Sequence, residues 1–508
     1  MANNSNLGAA KAAKNDEFYT QYADIQKEIN AYLEYNPDTF RDKTVLLPCD
    51  DPEWSNFTRF FAQNFERLGL KRLISTSYAV ESKKYKDYEP TLFETESPLY
   101  DIDKTRIKGK IFELTRDTNG SGRIDIDDLE WHYLEGDGDF RSPEVCAQRD
   151  QADIIVTNPP FSLFRDFLGW IVEAEKQFLI IGNMNAITYK EVFPLIKDNR
   201  LWLGATGFVS DMVFAVPKGS DVDPKDRAKA AKLGYVGDYT RLGNSCWFTN
   251  LEHGRRHQPL QLMTMKDNLR FSKHKEIREN GYQKYDNYDA IEVPYTDAIP
   301  SDYEACLGVP ISFLDKYCPE QFEIVGISKT WFGFANKVYP EQLQHSKDGK
   351  ISKVTKLNDG PVIKKTVVPS GETYYTVGKD VYTQEYARIF IKALTPPLKA
   401  MSINQLREYV IMTFGLSPEE VTIVTGIMGV PISFLDKYCP EQFNIMGMCE
   451  NLDIYGLKTK VYSSEECKAA YKRKFGKVGT YDLNASGVIR MEDGRLEKVY
   501  QRILIQKI

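Results

Sequence analysis

Cysteine is scarce in this chain, with 8 among 508 residues and no pair spaced as CxxC. This scarcity argues against a disulfide-stapled scaffold or a zinc ribbon and predicts a reduced, cytoplasmic setting. A run of about 18 uncharged apolar residues is missing, which excludes a membrane-spanning helix, and the first residues lack the apolar stretch of a secretory signal. The five histidines show no metal-ligand spacing, and the phosphate-binding loop of ATPases (GxxxxGKS or GxxxxGKT) does not occur.

A net positive charge is lacking too. The formal charge is -6 and the isoelectric point about 5.7, which on its own argues against a nucleic-acid partner. The sum hides an uneven distribution, because acids concentrate at 117–153, whereas 253–278 and 458–477 each contain seven Lys or Arg and two acids. One such basic run is typical of a solvated surface, but several in the C-terminal half favour phosphate binding. In the first run, the candidate DNA-binding residues are Arg255, Arg256, Lys266, Arg270, Lys273 and Lys275.

Apolar runs bounded by turn residues alternate with helical periodicity along the first part of the chain. This order predicts an α/β fold with a doubly wound sheet. The predicted strands lie at 44–49, 72–78, 110–114, 152–157, 178–181 and 212–216. The main domain is expected at 16–305, with an acidic hairpin insertion at 115–135 and a disordered, polar N-terminus at 1–15.

The second half of the chain contains a duplication. The fifteen residues Gly308–Phe322 recur unchanged as Gly429–Phe443. After them the copies diverge but remain alignable, since Lys337-Val338-Tyr339 corresponds to Lys460-Val461-Tyr462. Identity over fifteen positions is far beyond chance.

Both copies are rich in Val, Ile and Tyr and in turn residues. This composition predicts two small, mostly β modules, at 306–394 and 429–508. The segment between them, 395–428, is expected to be a helical linker, because Ser402 and Ser417 are good N-caps.

The most informative motif is Asn158-Pro159-Pro160-Phe161, which follows the apolar strand at 152–157. Enzymes with α/β folds place ligand groups at the carboxyl ends of their strands. Asn158 offers a side-chain oxygen, and the two prolines, which lack amide hydrogens, leave their carbonyls as stiff acceptors. Together these groups can accept both hydrogens of an exocyclic amine, while Phe161 can stack on a planar ring. A rigid turn is the competing interpretation.

The N6 amine of adenine suits such a site. Its lone pair is delocalised into the ring, so the nitrogen is a poor nucleophile. Accepting its hydrogens moves it toward sp³ geometry and favours attack on a methyl donor. Positioning and charge complementarity supply the acceleration, and neither a strong base nor a catalytic metal is required. The motif therefore predicts Asn158, Pro159, Pro160 and Phe161 as catalytic residues.

Several motifs occur in a fixed order: EFYT at 17–20, CDDPEWSNF at 49–57, GDGDF at 136–140, TNPPF at 157–161, IGNMNAITYKEVF at 181–193, CWFTNL at 246–251 and KYDNYDAIEV at 284–293. Together they resemble the EcoRI-type family of S-adenosylmethionine-dependent adenine-N6 DNA methyltransferases. The resemblance implies a Rossmann-like class I methyltransferase domain at 16–305, followed by the two duplicated β modules. It also implies S-adenosylmethionine as cofactor, no catalytic metal, and a flipped-out adenine of duplex DNA as substrate.

Residue roles follow from the same resemblance. Tyr19 and Thr20 would close over the methionine end of the cofactor, and Asp137 or Asp139 would contact its adenosine part. The other expected cofactor-binding residues are Cys49, Asp50, Asp51 and Pro52, after the first strand, and Ser77, at the end of the next. A Gly-x-Gly loop after the first strand is missing and CDDP stands in its place, as is usual in the family resembled.

The resemblance further implies a cytoplasmic, prokaryotic or phage-encoded enzyme that acts as a monomer. Its partners would be double-stranded DNA and, in a restriction–modification system, a cognate restriction endonuclease; a solitary methylase would have no such partner. Two alternatives stay open: an amino-methyltransferase acting on RNA or on protein glutamine, and an inactive relative that binds DNA or Ca²⁺. The basic runs and the long C-terminal half favour DNA.

A competing signal lies at 117–128, where DTNGSGRIDIDD matches the linear pattern of an EF-hand calcium loop. The flanking segments are strand-like rather than helical, and position 12 is Asp where Glu is expected. A hairpin without a bound ion is therefore preferred, with a structural Ca²⁺ site as the alternative. The ligands of that site would be Asp117, Asn119, Ser121, Asp125 and Asp128.

Overall fold

The computed structural model describes residues 18–50, 55–79, 95–209 and 212–394, without 217, 219 and 221. Beyond 394 it describes 407–412 without 409, 421–437 without 425 and 426, 443–449, and 460–507 without 486, 492 and 499–501. The predictions for 1–15, for Asp51 and Pro52, and for most of the linker at 395–428 lie outside these ranges. Across the described ranges, no helix has the length and apolarity needed to cross a membrane.

The N-terminal part alternates short strands with helices. Its strands are β1 (Tyr19–Thr20), β2 (Thr44–Leu47), β3 (Arg72–Ser77), β4 (Lys110–Leu114), β5 (Glu130–Tyr133), β6 (Ile154–Thr157), β7 (Gln177–Asn183), β8 (Trp202–Leu203), β9 (Val213–Ala215), β10 (Tyr239–Arg241), β11 (Ser245–Thr249) and β12 (Ile291–Glu292). Its helices are α1 (Tyr22–Tyr35), α2 (Asn56–Gln63), α3 (Phe65–Leu68), α4 (Ile102–Ile107), α5 (Pro143–Gln151), α6 (Phe164–Glu173), α7 (Phe193–Lys197), α8 (Pro224–Lys232), α9 (Met265–Phe271) and α10 (Lys275–Asn280).

An eight-stranded sheet forms the centre, in the order β5-β4-β3-β2-β6-β7-β11-β8. The inner strands β3, β2, β6 and β7 are parallel, and the strands on either side pair antiparallel. The inner strands are buried almost throughout, as expected for strands covered on both faces. The predicted α/β class is confirmed, and the strands stand where the apolar runs predicted them.

Two hydrophobic cores cover the faces of this sheet. Alternate residues of a strand point to opposite faces, so Ile155 enters one core while Ile154 and Val156 enter the other. Helices α5 and α6 pack on the first face, and α1 and α2 pack on the second. Caps determine where two of these helices begin: Ser55 accepts from the amide of Phe57, and Ser142 accepts from the amide of Val145.

The repeated segments define the C-terminal elements. The first repeat, residues 306–394, contains β13 (Leu307–Pro310), β14 (Phe322–Ile327), β15 (Gln342–His345), β16 (Ile351–Val354), β17 (Val362–Lys365), β18 (Tyr374–Val377), β19 (Asp380–Gln384) and β20 (Arg388–Ala393). The linker end and the second repeat, residues 429–508, contribute β21 (Thr422–Val424), β22 (Ile427–Pro431), β23 (Phe443–Met448), α11 (Ser464–Phe475), β24 (Val488–Arg490), β25 (Leu496–Lys498) and β26 (Arg502–Lys507).

Three strands of each repeat form a four-stranded sheet with one strand that precedes the repeat, in the order β12-β13-β20-β14 for the first and β21-β22-β26-β23 for the second. The registers of the last three strands coincide. Gly308 pairs with Phe390 as Gly429 pairs with Leu504, and each sheet has a bulge just before Gly326 or Gly447.

A second contact also recurs in both repeats. The amide of Tyr339 donates to the side-chain oxygen of Asn358 over 2.8 Å, and the amide of Tyr462 donates to Asn484 over 2.9 Å. Each asparagine returns a hydrogen bond to the tyrosine carbonyl. The two sheets and this link form a frame that both repeats share.

Candidate active site

Three polar residues meet at one edge of the central sheet. Strands β2, β3, β6 and β7 are parallel, so their carboxyl ends lie together. Asp50 follows β2, Ser77 ends β3, and Asn158 follows β6. This edge is where open α/β sheets bind ligands.

Asn158 has one end of its side-chain amide engaged and the other end open. Its Nδ2 donates to the backbone carbonyl of Phe18 over 2.6 Å. That bond orients the amide. The Oδ1 atom is buried and accepts no hydrogen bond from any residue that the structure describes. A buried acceptor without a partner is costly, so this oxygen is ready for a donor supplied by a ligand.

The rest of the loop shapes an aromatic wall beside that oxygen. Pro159 is buried, and the carbonyl of Pro160 accepts from the amide of Leu163 over 2.9 Å, which begins a 3₁₀ turn. One of the two proline carbonyls predicted to be acceptors is therefore used within the chain. The ring of Phe161 lies 5.5 Å from Phe18 and 6.4 Å from Phe214, measured between centroids.

The N-terminal strand β1 brings Phe18 to this loop. Tyr19 and Thr20 pair antiparallel with Ala215 and Phe214 of β9. The carbonyl of Thr20 also accepts from the Nδ2 of Asn56 over 2.7 Å. The FYT motif and the NPPF motif, far apart in sequence, are thus held side by side.

Asp50 connects the ends of two neighbouring strands. Its buried carboxylate accepts from the Oγ of Ser55 over 2.7 Å and from the Oγ1 of Thr157. Thr157 immediately precedes Asn158, so the carboxylate helps position the loop. The adjacent Cys49 has a backbone φ of 71°, an unfavourable value for a residue with a side chain.

The loop at 136–139 lies against the end of β3. The amide of Ala79 donates to the carbonyl of Asp137 over 2.8 Å. Gly138 has a φ of 87°, and a Cβ there would lie 2.3 Å from the carbonyl oxygen of Ser77. Only glycine permits this approach. Arg141 binds both carboxylate oxygens of Asp139, and this pairing lowers the pKa of Asp139 below its usual range.

Two of the predicted DNA-binding residues lie where the first repeat packs against the N-terminal part of the chain, a boundary called the seam from here on. Arg256 is buried, stacks 3.5 Å from the ring centroid of Trp202 and donates to Asn199; burial lowers the pKa of its guanidinium. Arg255 forms an ion pair of 2.5 Å with Asp315 of the first repeat. Arg255 thus joins the first repeat to the N-terminal part, whereas Arg256 is held within the N-terminal part. Because both guanidinium groups are engaged within the chain, the prediction of a phosphate-binding role for them is corrected.

The remaining four candidates are exposed on α9 and its surroundings. Lys266 and Arg270, one turn apart on α9, have no ion pair with any carboxylate in the described ranges. Lys273 pairs with Asp297 over 2.7 Å, and Lys275 pairs with Glu279 over 3.5 Å. Phe271 lies beside them with 69% of its side chain exposed. Lys266 and Arg270 are therefore the two bases most available to an anionic ligand.

The acidic insertion connects β4 to β5, which pair antiparallel as a hairpin. Its carboxylates accept hydrogen bonds from its own backbone: Asp117 from Gly120 and Gly122, and Asp128 from Thr118 and Asn119. Within the described part of the chain, no three acidic, His or Cys side chains converge as ligands of an ion. The geometry favours the hairpin over the calcium loop.

Sequence reasoning missed several residues of this site. Phe18 and Phe214 complete the aromatic wall, while Ser55, Asn56 and Thr157 hold the edge together. Phe18 stands in the EFYT motif, which gave it a detectable signal. Phe214 occurs in an ordinary apolar strand, and nothing in its sequence context distinguishes it.

An α/β sheet with an unpaired amide oxygen at its carboxyl edge is compatible with a methyltransferase fold. The family described as "Adenine-specific methyltransferase EcoRI" matches the chain over residues 6–393 and 421–508. The chain therefore belongs to the EcoRI family of adenine-specific methyltransferases.

Curated relatives agree with this placement. The chain is 40% identical over 329 residues to the Type II methyltransferase M.EcoRI of Escherichia coli, which covers 65% of this chain and 90% of that protein. It is 36% identical to M.MpnI of Mycoplasma pneumoniae over 317 residues, which cover 62% of this chain and 83% of that protein. It is 34% identical to M.MgeORF184P of Mycoplasma genitalium over 317 residues, which cover 62% of this chain and 84% of that protein. No solved structure matches significantly. Because each alignment covers most of the relative but a smaller share of this chain, this chain is the longer protein.

Proposed function

We propose that this protein transfers a methyl group from S-adenosylmethionine to the N6 atom of an adenine in duplex DNA. The family supports the reaction class. The single observation that carries the assignment is the buried Oδ1 of Asn158, which lacks a donor among the described residues. The Nδ2 of the same amide is bound to Phe18, whose ring packs on Phe161. In a restriction–modification system this activity would protect host DNA, and a solitary methylase would use the same chemistry.

The carboxyl edge of the sheet fits the cofactor. The loop at 136–139 packs backbone to backbone against Ser77, because a Cβ on Gly138 would lie 2.3 Å from the carbonyl oxygen of Ser77, so its acids are held at the carboxyl end of β3. Asp137 or Asp139 would contact the adenosine part; both oxygens of Asp139 are bound by Arg141, and Asp137 accepts from the amide of Asp139. Tyr19 and Thr20 would close the other side. When bound, S-adenosylmethionine supplies an electrophilic methyl group on a sulfonium.

The residues of the chain activate the amine. The Oδ1 of Asn158 and the carbonyl of Pro159 would each accept one N6 hydrogen, which withdraws the lone pair from the ring. The nitrogen would then be able to accept the methyl group that the cofactor supplies, and the surplus N6 proton would leave to solvent. Because acceptors already in place cost no reorganisation, they stabilise the developing positive charge in the transition state.

An adenine within a duplex cannot reach this edge, so the base would have to flip out of the stack. Phe161 and the neighbouring Phe18 would stack on the adenine base once it lies outside the double helix. Lys266 and Arg270 of α9 would contact phosphates, because they are exposed and free of ion pairs within the described ranges.

Substitution of Asn158 tests the proposal. In Asn158→Ala, methyl transfer to duplex DNA is expected to fall by roughly 10²-fold or more, as for loss of one preorganised polar group, with DNA affinity within a few-fold of the original. Asn36→Ala, at the end of α1 and remote from this edge, is the matched control. The readouts are methyl incorporation from labelled cofactor and DNA binding by fluorescence anisotropy.

Two results would contradict the proposal. One is an Asn158→Ala protein as active as the control. The other is methyl incorporation into RNA or a glutamine-containing peptide in preference to duplex DNA. Mapping of N6-methyladenine in DNA from expressing cells identifies the methylated atom and the recognised site.

A further inference from the structure

The two repeats share a frame but differ in what the frame carries. In the first repeat, residues between Tyr339 and Arg388 form a five-stranded sheet, β16-β15-β18-β19-β17. In the second, the equivalent segment begins with the helix α11 and ends with the β24–β25 hairpin. The four-stranded sheet is the same in both repeats, whereas the segment that it supports differs. We therefore expect this segment, rather than the sheet, to make the contacts that distinguish the two repeats.

Helix α11 has a well-defined start and a strongly basic surface. Ser463 and Glu466 form a capping box, and Glu466 also pairs with Lys460 over 2.7 Å. Four exposed bases have no ion pair with any carboxylate in the part of the second repeat that the structure describes: Lys468, Lys472, Arg473 and Lys477. Of these, Lys468 and Lys472 share one side of the helix, and positive charge grouped in this way attracts a polyanion.

A groove lies along this face. It encloses about 400 Å³ and is lined by Lys468 and Lys472, one helical turn apart, and by the loop residues Val478, Gly479 and Thr480. Two cations at i and i+4 project to the same side of a helix, so both reach the groove. The lining of the groove is mainly apolar, so the ammonium groups of the two lysines, rather than the opposite wall, would contact a phosphate.

Aromatic contacts fix the loop that forms this second wall. Tyr471, Phe475 and Tyr481 pack together with centroid distances of 4.8 to 5.9 Å. A Cβ on Gly479 would lie 2.3 Å from the ring of Tyr471, so the loop crosses the helix closely. Val478, at the tip, is 97% exposed. The loop therefore presents the apolar side chain of Val478 next to the Lys and Arg side chains of α11.

We propose that the second repeat is a DNA-binding module in its own right, which lays the Lys468–Lys472 face of α11 and the loop at 477–480 against the backbone of the same duplex, beyond the stretch that α9 would contact. The inference rests on the proposed function for its ligand class. It explains why this chain is longer than the relatives it matches. A phosphate backbone is the partner that fits, because it supplies repeated negative charge along a groove.

The salt dependence of DNA binding by the full chain tests this proposal. Each Lys–phosphate contact contributes roughly 0.9 to the slope of log K against log salt. Lys468→Ala with Lys472→Ala is expected to lower that slope by about 1.8 on a long duplex and to leave binding to the shortest duplexes unchanged. The measurement is fluorescence anisotropy over a series of salt concentrations and duplex lengths around one target site.

Two matched proteins control for charge and folding. Arg67→Ala with Lys71→Ala removes the same charge at the amino end of β3, on the opposite edge of the sheet from Asn158, and should keep the original slope. Lys468→Arg with Lys472→Arg keeps the charge on α11 and should also keep it. Hydroxyl-radical footprinting should show protection shortened at one end only in the alanine variant.

The proposal is overturned if the α11 alanine variant, folded by circular dichroism, shows the slope and footprint of the original protein. Its failure is distinguishable from failure of the proposed function. Loss of the α11 contact concerns binding and footprint length, whereas absence of methyl transfer by the unsubstituted protein concerns the active site alone.

Discussion

The fifteen residues that occur twice in this chain are buried to different extents in the two places. Leu314 is 7% exposed in the first repeat, whereas the corresponding Leu435 is 49% exposed in the second. Just beyond the identical stretch, Ile324 is 2% exposed and its counterpart Ile445 is 42% exposed. The backbone registers around them coincide. Identical sequence in an identical frame has therefore acquired different surroundings.

The difference comes from what each repeat touches. The first repeat shares one hydrophobic core with α6, α7 and β7, and Phe332 lies 5.4 Å from Phe193 of α7. The second repeat has a separate core. Phe313 and Phe434 are buried in both, so they serve the frame itself. Leu314 instead packs at the seam with the N-terminal part of the chain. Folding of the repeat and its packing against the N-terminal part therefore use different residues of one motif.

Truncating the leucine at each copy gives the largest expected contrast. Leu314→Ala should lower the free energy of unfolding by about 2–5 kcal/mol, because it removes buried methyl groups and leaves a cavity. Leu435→Ala should change it by less than about 0.5 kcal/mol, since that side chain is half exposed. Chemical denaturation, with hydrogen exchange to locate the effect, measures both. Equal losses for the two variants would mean that the second repeat is docked in solution.

Much of the fold could be predicted from the sequence. Apolar runs that end at turn residues determine the buried strands β2, β3 and β6, because only a strand covered on both faces is apolar at every position. The same reasoning placed Asn158 at the carboxyl edge. The repeat was visible directly, as identity over fifteen residues.

The seam could not be predicted, because its partners are distant in sequence. Arg255 and Arg256 occur in a run of bases that is typical of an exposed surface. Only the fold brings Asp315 to Arg255, sixty positions away, and Trp202 beneath Arg256. Likewise, the hydrogen bond from Asn158 to Phe18 spans 140 positions. Local composition carries no information about such pairs.

The pH dependence of the free energy of unfolding should also differ between the seam and the second repeat. His253 faces the seam beside Leu314 and Tyr317, and Arg255, Arg256, Glu252 and Tyr32 surround it. Burial lowers its pKa from 6.5 to about 4. Between these values the unfolded chain binds a proton that the folded chain does not, so stability falls as the pH drops from 6.5 toward 4. The loss approaches about 3 kcal/mol at the acid end.

Denaturation of the original protein and of His253→Gln across pH 4 to 7.5, a window set by roughly the folded and unfolded pKa values, measures this linkage. In the variant, the free energy of unfolding should depend much less steeply on pH in this window. Hydrogen exchange in β22 and β23 of the second repeat should not follow the titration, because no corresponding histidine exists there. An unchanged slope in the variant would assign the acid sensitivity to other groups.

The smallest contrast concerns the acid that follows each leucine. Asp315 accepts from the amide of Phe208 over 2.9 Å and pairs with Arg255, whose side chain is 29% exposed. Asp315→Asn keeps the first bond but removes the charge opposite Arg255, and the partial exposure of Arg255 lets water offset part of the loss. The expected cost is about 1–2 kcal/mol, below that of a fully buried pair. Asp436→Asn, the same change at the corresponding position of the second repeat, is the comparison. Unfolding measured at low and high salt separates the two, since a contribution from the charge pair should shrink as salt rises. If Asp315→Asn were as neutral as Asp436→Asn, the seam would be held by its apolar contacts alone, and Arg255 would be available for a ligand after all.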